Sequence, residues 1–297
     1  MLALLLGPAC RPDSQQTLPV APASASAVAP GVRVANTANT ANTAPARSPS
    51  PAPGPVRRPT QKPPKRVLFV GNSFVHSGPL PEVLGLLVKS AQISDVSLEM
   101  SAESGWSLAD HRKSQATLAS LDKPGWDVVV LQDQSTRPTA KMGKPEEFRD
   151  DALWLIERLR QKSPKARVVL FQTWAQHPSA WVYQEHYKDF ASMTEDLRRG
   201  YVGVVEAYVR KFGTEEPQLV PALARVGDAW ERYLAQPGAL RLHGQDGVHP
   251  SDAGKYLNAL VFFRVLYQRP TAKLVGWTLP QADAAALQAL ADSLPDE

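Results

Sequence analysis

The sequence predicts an α/β fold, one domain over residues 66–297 in which a mainly parallel five-stranded sheet is covered by helices on both faces. Three observations predict it. Short, β-rich apolar runs recur along the chain, segments with apolar residues at helical spacing separate them, and the Pro- and Ala-rich composition of the first part ends near residue 66. Alternating strands and helices imply crossover connections, which pack helices against both faces of a parallel sheet.

The elements follow in order. Arg66–Gly71 (RVLFVG) is bounded by glycine and reads as a buried strand. From Pro79 to Gln92, Leu80, Val83, Leu84, Leu87 and Val88 recur at helical spacing, with prolines only in the first turn, where a missing N–H breaks no intrahelical bond. A weaker strand is expected at 95–100, and Trp126–Leu131 (WDVVVL) is the strongest one in the chain. Residues 146–162 read as an amphipathic helix, Ala166–Phe171 as a strand and 185–211 as a long helical region. Gln218–Val226 supplies the fifth strand in spite of Pro221. Ser251–Gln268 is an apolar helix opening on Ser251-Asp252.

Charge excludes one class of function. The 33 Lys+Arg against 29 Asp+Glu give +4 and a basic pI near 9.1, a balance that by itself points to nucleic acid. Eight of those basic residues but only one acidic residue, Asp13, lie in residues 1–66, leaving 25 against 28 in 67–297, a net of −3. No basic stripe interleaved with aromatics remains there, so no nucleic-acid partner is expected. No apolar run approaches the roughly 18 residues of a bilayer-spanning helix, which excludes a polytopic membrane protein.

Residues 11–65 are dominated by Pro, Ala, Ser and Thr, with a tandem Ala-Asn-Thr stretch at 35–44. Such a segment buries too little apolar surface to offset its backbone entropy and is expected to be a disordered tether. Cys10 is the only cysteine, so no intramolecular disulfide forms, and no Cys/His spacing suggests zinc. Neither a metal nor an organic cofactor is expected. The apolar run Leu2–Leu6 before Gly7-Pro8-Ala9-Cys10 reads as an export signal over residues 1–10. It resembles bacterial lipoprotein signals, and the resemblance implies Cys10 as a lipid anchor to membrane on an exported envelope or secreted protein.

Two segments carry chemistry. Val70-Gly71-Asn72-Ser73-Phe74 presents a serine between the first strand and a helix, at the carboxyl edge where parallel sheets bind ligands and near the positive end of a helix dipole. A helix cap or a phosphate-binding turn would look the same. In Gln245-Asp246-Gly247-Val248-His249-Pro250-Ser251, a carboxylate three residues before a histidine can orient the imidazole and leave its other nitrogen free as a base. Together they supply a nucleophile, a base and an orienter.

Gly71-Asn72-Ser73, then Gly105 in Ser104-Gly105-Trp106-Ser107-Leu108, then Asp246-Gly247-Val248-His249-Pro250 resemble the SGNH/GDSL hydrolase superfamily in order and context, over nearly all of 66–268. The resemblance implies a flavodoxin-like three-layer α/β/α fold and a Ser-His-Asp mechanism on esters. Ser73 would be the nucleophile, His249 the base and Asp246 its orienter, with the N–H groups of Ser73 and Gly105 in the oxyanion hole. The superfamily usually adds an asparagine side chain after the central strand; here stands Leu131-Gln132-Asp133-Gln134-Ser135. Either Gln132 or Gln134 offers the same carboxamide donor on a longer stem, and Gln134 lies further toward the active edge. Both could instead satisfy backbone groups. With Phe171-Gln172-Thr173-Trp174 and Val226-Gly227-Asp228-Ala229-Trp230, the pattern is similar to a little-characterised bacterial branch of the superfamily.

Asn72, Trp106 and Trp174 are the expected substrate-binding residues; Trp181 and Trp230 are further candidates, with core packing as the alternative for such indoles. His111 and His177 are read either as pocket donors or as satisfied structural histidines. The resulting expectation is a serine esterase that removes acyl groups, acetyl among them, from a carbohydrate or small-molecule ester through an acyl-enzyme. An acyltransferase using the same triad is the alternative enzyme. A catalytically silent carbohydrate-binding surface protein would need none of Ser73, Asp246 and His249.

Overall fold

The structure is a computed structural model and describes residues 62–295. The expected export signal at 1–10, Cys10, and the tether at 11–65 up to residue 61 lie outside the described residues. Five parallel strands form one sheet: β1 (Arg66–Gly71), β2 (Ser97–Ala102), β3 (Val128–Leu131), β4 (Arg167–Gln172) and β5 (Ala222–Arg225), in the order β2-β1-β3-β4-β5. In register, Val67 faces Leu98 on one side and Val128 on the other, and Leu131 pairs with Leu170. The chain leaves β1 toward β2 and then returns to place β3 on the opposite side of β1. The order therefore switches between β1 and β3, and the crevice beyond their carboxyl ends is where such sheets take ligands.

Alternate strand residues point to opposite faces, and here both faces are apolar, as a doubly covered parallel sheet requires. Val67, Phe69, Val128, Val130, Val169, Phe171 and Ala224 face one layer, made of α1 (Ser73–His76), α2 (Leu80–Ser90), α8 (Val226–Leu234), α9 (Asp252–Tyr267) and α10 (Gln281–Asp292). Leu68, Val70, Val129, Leu131, Val168 and Leu170 face the other, with α3 (Leu108–Lys113), α4 (Gln115–Leu121), α5 (Pro145–Lys162) and α7 (Phe190–Phe212). A short α6 (Val182–Glu185) lies in the β4–α7 connection. The result is the three-layer α/β/α fold expected from the sequence. Among the described residues no helix is long and apolar enough to cross a membrane.

Two helical regions depart from the sequence expectation. α3 and α4 are too short to show a period and are held by their ends: Ser107 and Asp110 form a capping box, and the Ser114 hydroxyl accepts from Thr117 N–H. α10 is half covered and packs on α9, a helix apolar on all sides because α2, α8 and α10 surround it. The fifth strand is shorter than expected. Pro217–Leu219 is a 3-10 turn, Pro221 can donate nothing to a ladder, and Val226 already opens α8.

Candidate active site

β1 ends at Gly71, and a Cβ at that position would lie 2.4 Å from Gln132 Oε1 and 2.8 Å from Val75. Only glycine lets the chain turn this close to β3. Gln132, fully buried, uses its Oε1 to accept from Asn72 N–H at 2.8 Å, while its Nε2 donates to the Asp133 carbonyl. Asn72 in turn caps α1, its Oδ1 accepting from Phe74 N–H at 3.1 Å, and its Nδ2 donates to the Trp106 carbonyl at 3.0 Å. Asn72 is 3% exposed, so it ties the Ser73 turn to the Gly105 loop rather than presenting a group to substrate. His111 completes the turn: fully buried, it bonds the Gly71 carbonyl through Nε2 and Thr117 Oγ1 through Nδ1, both at 2.8 Å, and burial pushes its pKa down. It is a satisfied structural histidine.

Ser73 is thereby raised, half-buried, at the β1/β3 crevice, and His249 reaches it from the loop before α9. The His249 Nε2 lies 2.9 Å from Ser73 Oγ, and its Nδ1 lies 2.6 Å from Asp246 Oδ2. A carboxylate can only accept, so Nδ1 carries the proton and Nε2 is left to take one from the serine. Burial of the Asp246 carboxyl acts upward on its pKa. The Val248 and His249 N–H groups, each 3.0 Å from Oδ1, and the imidazole outweigh that and hold it at about 2. Asp246 is a carboxylate across the ordinary pH range.

The loop bearing this pair is braced by a second segment. After β4, Trp174 Nε1 donates to the Val248 carbonyl at 3.0 Å, His177 N–H to the Gly247 carbonyl at 2.8 Å, and the Ala175 carbonyl meets His243 Nε2 at 2.9 Å. Gly247 sits at φ +72°, a left-handed conformation open to glycine, with His177 Cβ where a side chain would begin. Trp174 is 2% exposed and stacks on Phe74 at 4.4 Å and on Trp230 at 4.3 Å, and Phe74 meets the His249 ring edge-on at 5.5 Å. Trp174 is thus not a pocket wall, against expectation. Its indole is enclosed by the aromatics between α1 and α8 and supports the His249 loop from behind. Trp230 is wholly buried and bonded to Asn258, whereas Trp181 is 53% exposed on α6's approach, and Trp106 is partly exposed beside His111.

On the other side of Ser73, Gly105 lies in an exposed turn at φ +76°. The two glutamines behave differently. Gln132 has both amide ends committed inside the fold. Gln134 accepts through Oε1 from Thr136 N–H (3.0 Å), Thr136 Oγ1 (3.1 Å) and Arg137 N–H (3.1 Å), while its Nε2 has only a 3.4 Å approach to Ser135 Oγ. Three donors fix the Gln134 carbonyl end, and its half-buried Nε2 has no closer acceptor than Ser135, whereas Gln132 is fully buried. Among the described residues no group of three or more His, Cys, Asp or Glu could hold a metal ion.

Solved structures share this fold. A candidate SGNH hydrolase from Slackia heliotrinireducens superposes with a TM-score of 0.53 at 24% identity, covering 66% of this chain and 96% of its own. A DUF4886 family protein from Bacteroides uniformis superposes with a TM-score of 0.59 at 17% identity, covering 76% and 93%. No family profile and no curated protein matches the chain.

Proposed function

We propose that this protein is a serine ester hydrolase that removes short acyl groups, acetyl foremost, from a carbohydrate or another small ester. One observation carries the reading: Ser73 Oγ, His249 Nε2 and Nδ1, and Asp246 form a continuous hydrogen-bonded relay at the ligand-binding switch point of the sheet. His249 takes the serine proton as Oγ attacks the ester carbonyl, and the imidazolium is stabilised by Asp246. The tetrahedral oxyanion is received by the N–H groups of Ser73 and Gly105 and by Gln134 Nε2. His249 then gives its proton to the leaving alkoxide, the alcohol departs, and water attacks the acyl-enzyme by the reverse sequence.

Exposure supports both the small acyl group and hydrolysis. The His249 side chain is 39% exposed and that of Asp246 52%, while the large apolar groups beside Ser73, Phe74 and Trp174, are sealed in the core. No apolar slot for a long acyl chain is formed by them, and an acyl-enzyme this open to solvent meets water before another acceptor, which favours hydrolysis over transfer. The test is labelling with a fluorophosphonate followed by peptide mapping. Modification at Ser73, competed by short-chain aryl esters, supports the reading; a folded protein that neither labels nor turns over any ester refutes it.

Export with Cys10 as the lipid-bearing residue is proposed on the pattern of residues 1–10 alone. Metabolic incorporation of an alkynyl fatty acid that is lost in Cys10→Ala checks it.

A further inference from the structure

Behind the candidate oxyanion hole lies an ion-pair cluster that the triad does not use. Asp133, fully buried two residues beyond β3, accepts at Oδ1 from Leu108 N–H (3.0 Å) and from Gln134 N–H (2.7 Å), and at Oδ2 from Arg137 Nη1 (2.7 Å). Arg137, 12% exposed, extends its other nitrogen to Asp151 on α5 at 2.5 Å, and Asp151 is also paired with Arg112 on α3. Arg112 stacks on Trp154 with its guanidinium carbon 4.8 Å from the ring.

The two amides that share Oδ1 are informative. Leu108 opens α3 three residues after Gly105, and its N–H belongs to the helix-terminal set that has no intrahelical partner. Gln134 carries the remaining oxyanion donor. One carboxylate oxygen therefore sits between the segments bearing two of the three proposed donors, and the stretch that follows Gly105 is held twice within three residues, by Asn72 at the Trp106 carbonyl and by Asp133 at the Leu108 N–H. Preorganised donors stabilise an oxyanion only when held to within roughly 0.5 Å of the productive position. A buried, paired charge is weak as a source of stability, since its desolvation offsets much of the attraction. Geometry is the better account of its presence.

We propose that Asp133 is a positioning residue for the oxyanion hole, the group that sets the Gly105 N–H and the Gln134 side chain in register with Ser73. This rests on the esterase reading with Gln134 as donor. The test measures kcat and KM for a short-chain aryl acetate, inhibition by phenylboronic acid, and backbone hydrogen exchange in wild type, D133A and D133N.

D133A should lower kcat by roughly 10²-fold with KM within about threefold, because the lost alignment matters in the transition state. Boronate binding should weaken with it, and exchange should quicken in 105–108 and 134–137. D133N keeps an acceptor but places an amide against Arg137, and should lie between. If D133A does not fold, D133N decides: at least a roughly tenfold fall in kcat at constant KM supports the role. A kcat within about twofold of wild type in a folded variant, or a loss confined to KM or melting temperature, overturns it. Wild-type turnover abolished by Ser73→Ala, with the Asp133 variants unaffected, would remove the positioning role and leave the esterase standing. Equal turnover by wild type and Ser73→Ala would remove both.

Discussion

His249 Nε2 meets Ser73 Oγ at 2.9 Å across 176 residues of chain, the loop before α9 folding back over the turn after β1. Ser73→Ala and His249→Ala should each lower kcat on a short-chain aryl ester by roughly 10³-fold or more, and the double variant should be little worse than either, because the pair acts as a unit. Steady-state kinetics with circular dichroism to confirm folding check this. Turnover retained by folded Ser73→Ala would remove the serine from the mechanism.

The glutamines should separate by what they change. Gln134→Ala should reduce kcat by roughly 10²-fold with a smaller change in KM, since a donor to the oxyanion acts on charge that develops in the transition state. Gln132→Ala leaves the Asn72 N–H unpaired inside the fold and should cost about 1–3 kcal/mol of stability with a smaller loss of kcat. Thermal melts read beside kinetics decide. If Gln132→Ala is the one that loses turnover at unchanged stability, the donor lies two residues inward. If neither changes kcat, it comes from another segment.

Trp174 should report on the brace behind His249. Trp174→Phe keeps the stack between Phe74 and Trp230 but loses the bond to the Val248 carbonyl, and should cost about 1 kcal/mol in urea unfolding and lower kcat several-fold. Trp174→Ala opens a cavity and should cost about 3–5 kcal/mol. A rise in KM alone, at full stability, would mean that the indole touches substrate after all.

His243 should impose a pH dependence on stability. Burial pushes it down to about 4 from an ordinary 6.5, with the Ala175 carbonyl acting the other way. Between those values the unfolded chain is protonated at this site and the folded one is not. Its contribution is therefore full above pH 6.5 and lost as pH falls toward 4, by on the order of 3 kcal/mol. Asp133, which burial raises to about 6 against Arg137, titrates in the opposite sense, so total stability is a poor readout. The stability of wild type minus that of His243→Asn cancels the Asp133 contribution. That difference should be flat above pH 6.5 and fall below it; a flat line down to pH 4 would show that His243 titrates normally.

Much of this was legible in the sequence because the periods were clean. β1, β3 and β4 are continuous apolar runs because both sheet faces are covered, and the helix after Pro79 shows its buried stripe directly. Ser73, Asp246 and His249 could be singled out because each follows or precedes such an element and because their residue types form a known chemical set. α3 and α4 could not be: their capping bonds and the Asp133 carboxylate, rather than a period, hold them in place. The place of Trp174 is hidden in the sequence for a related reason, since an aromatic at a strand's carboxyl end looks the same whether it faces the crevice or is stacked beneath it, as Trp174 is.

By itself, then, the sequence determined the succession of the strands and of the long helices α2, α5, α7 and α9, the sheet's carboxyl edge as the place for a site, and Ser73, His249 and Asp246 as candidate nucleophile, base and orienter. These follow from local propensity, from the repeat of apolar residues and from side-chain chemistry. Tertiary structure decided which partners those side chains find. It committed Gln132 to Asn72 while giving Gln134 Nε2 only a long bond to Ser135, sealed Trp174 behind His249, and placed one Asp133 oxygen between Leu108 and Gln134. The physical reason is that hydrogen bonds and packing act over a few ångströms in space, between segments up to 176 residues apart in the chain, and no local pattern records which segments the sheet brings together.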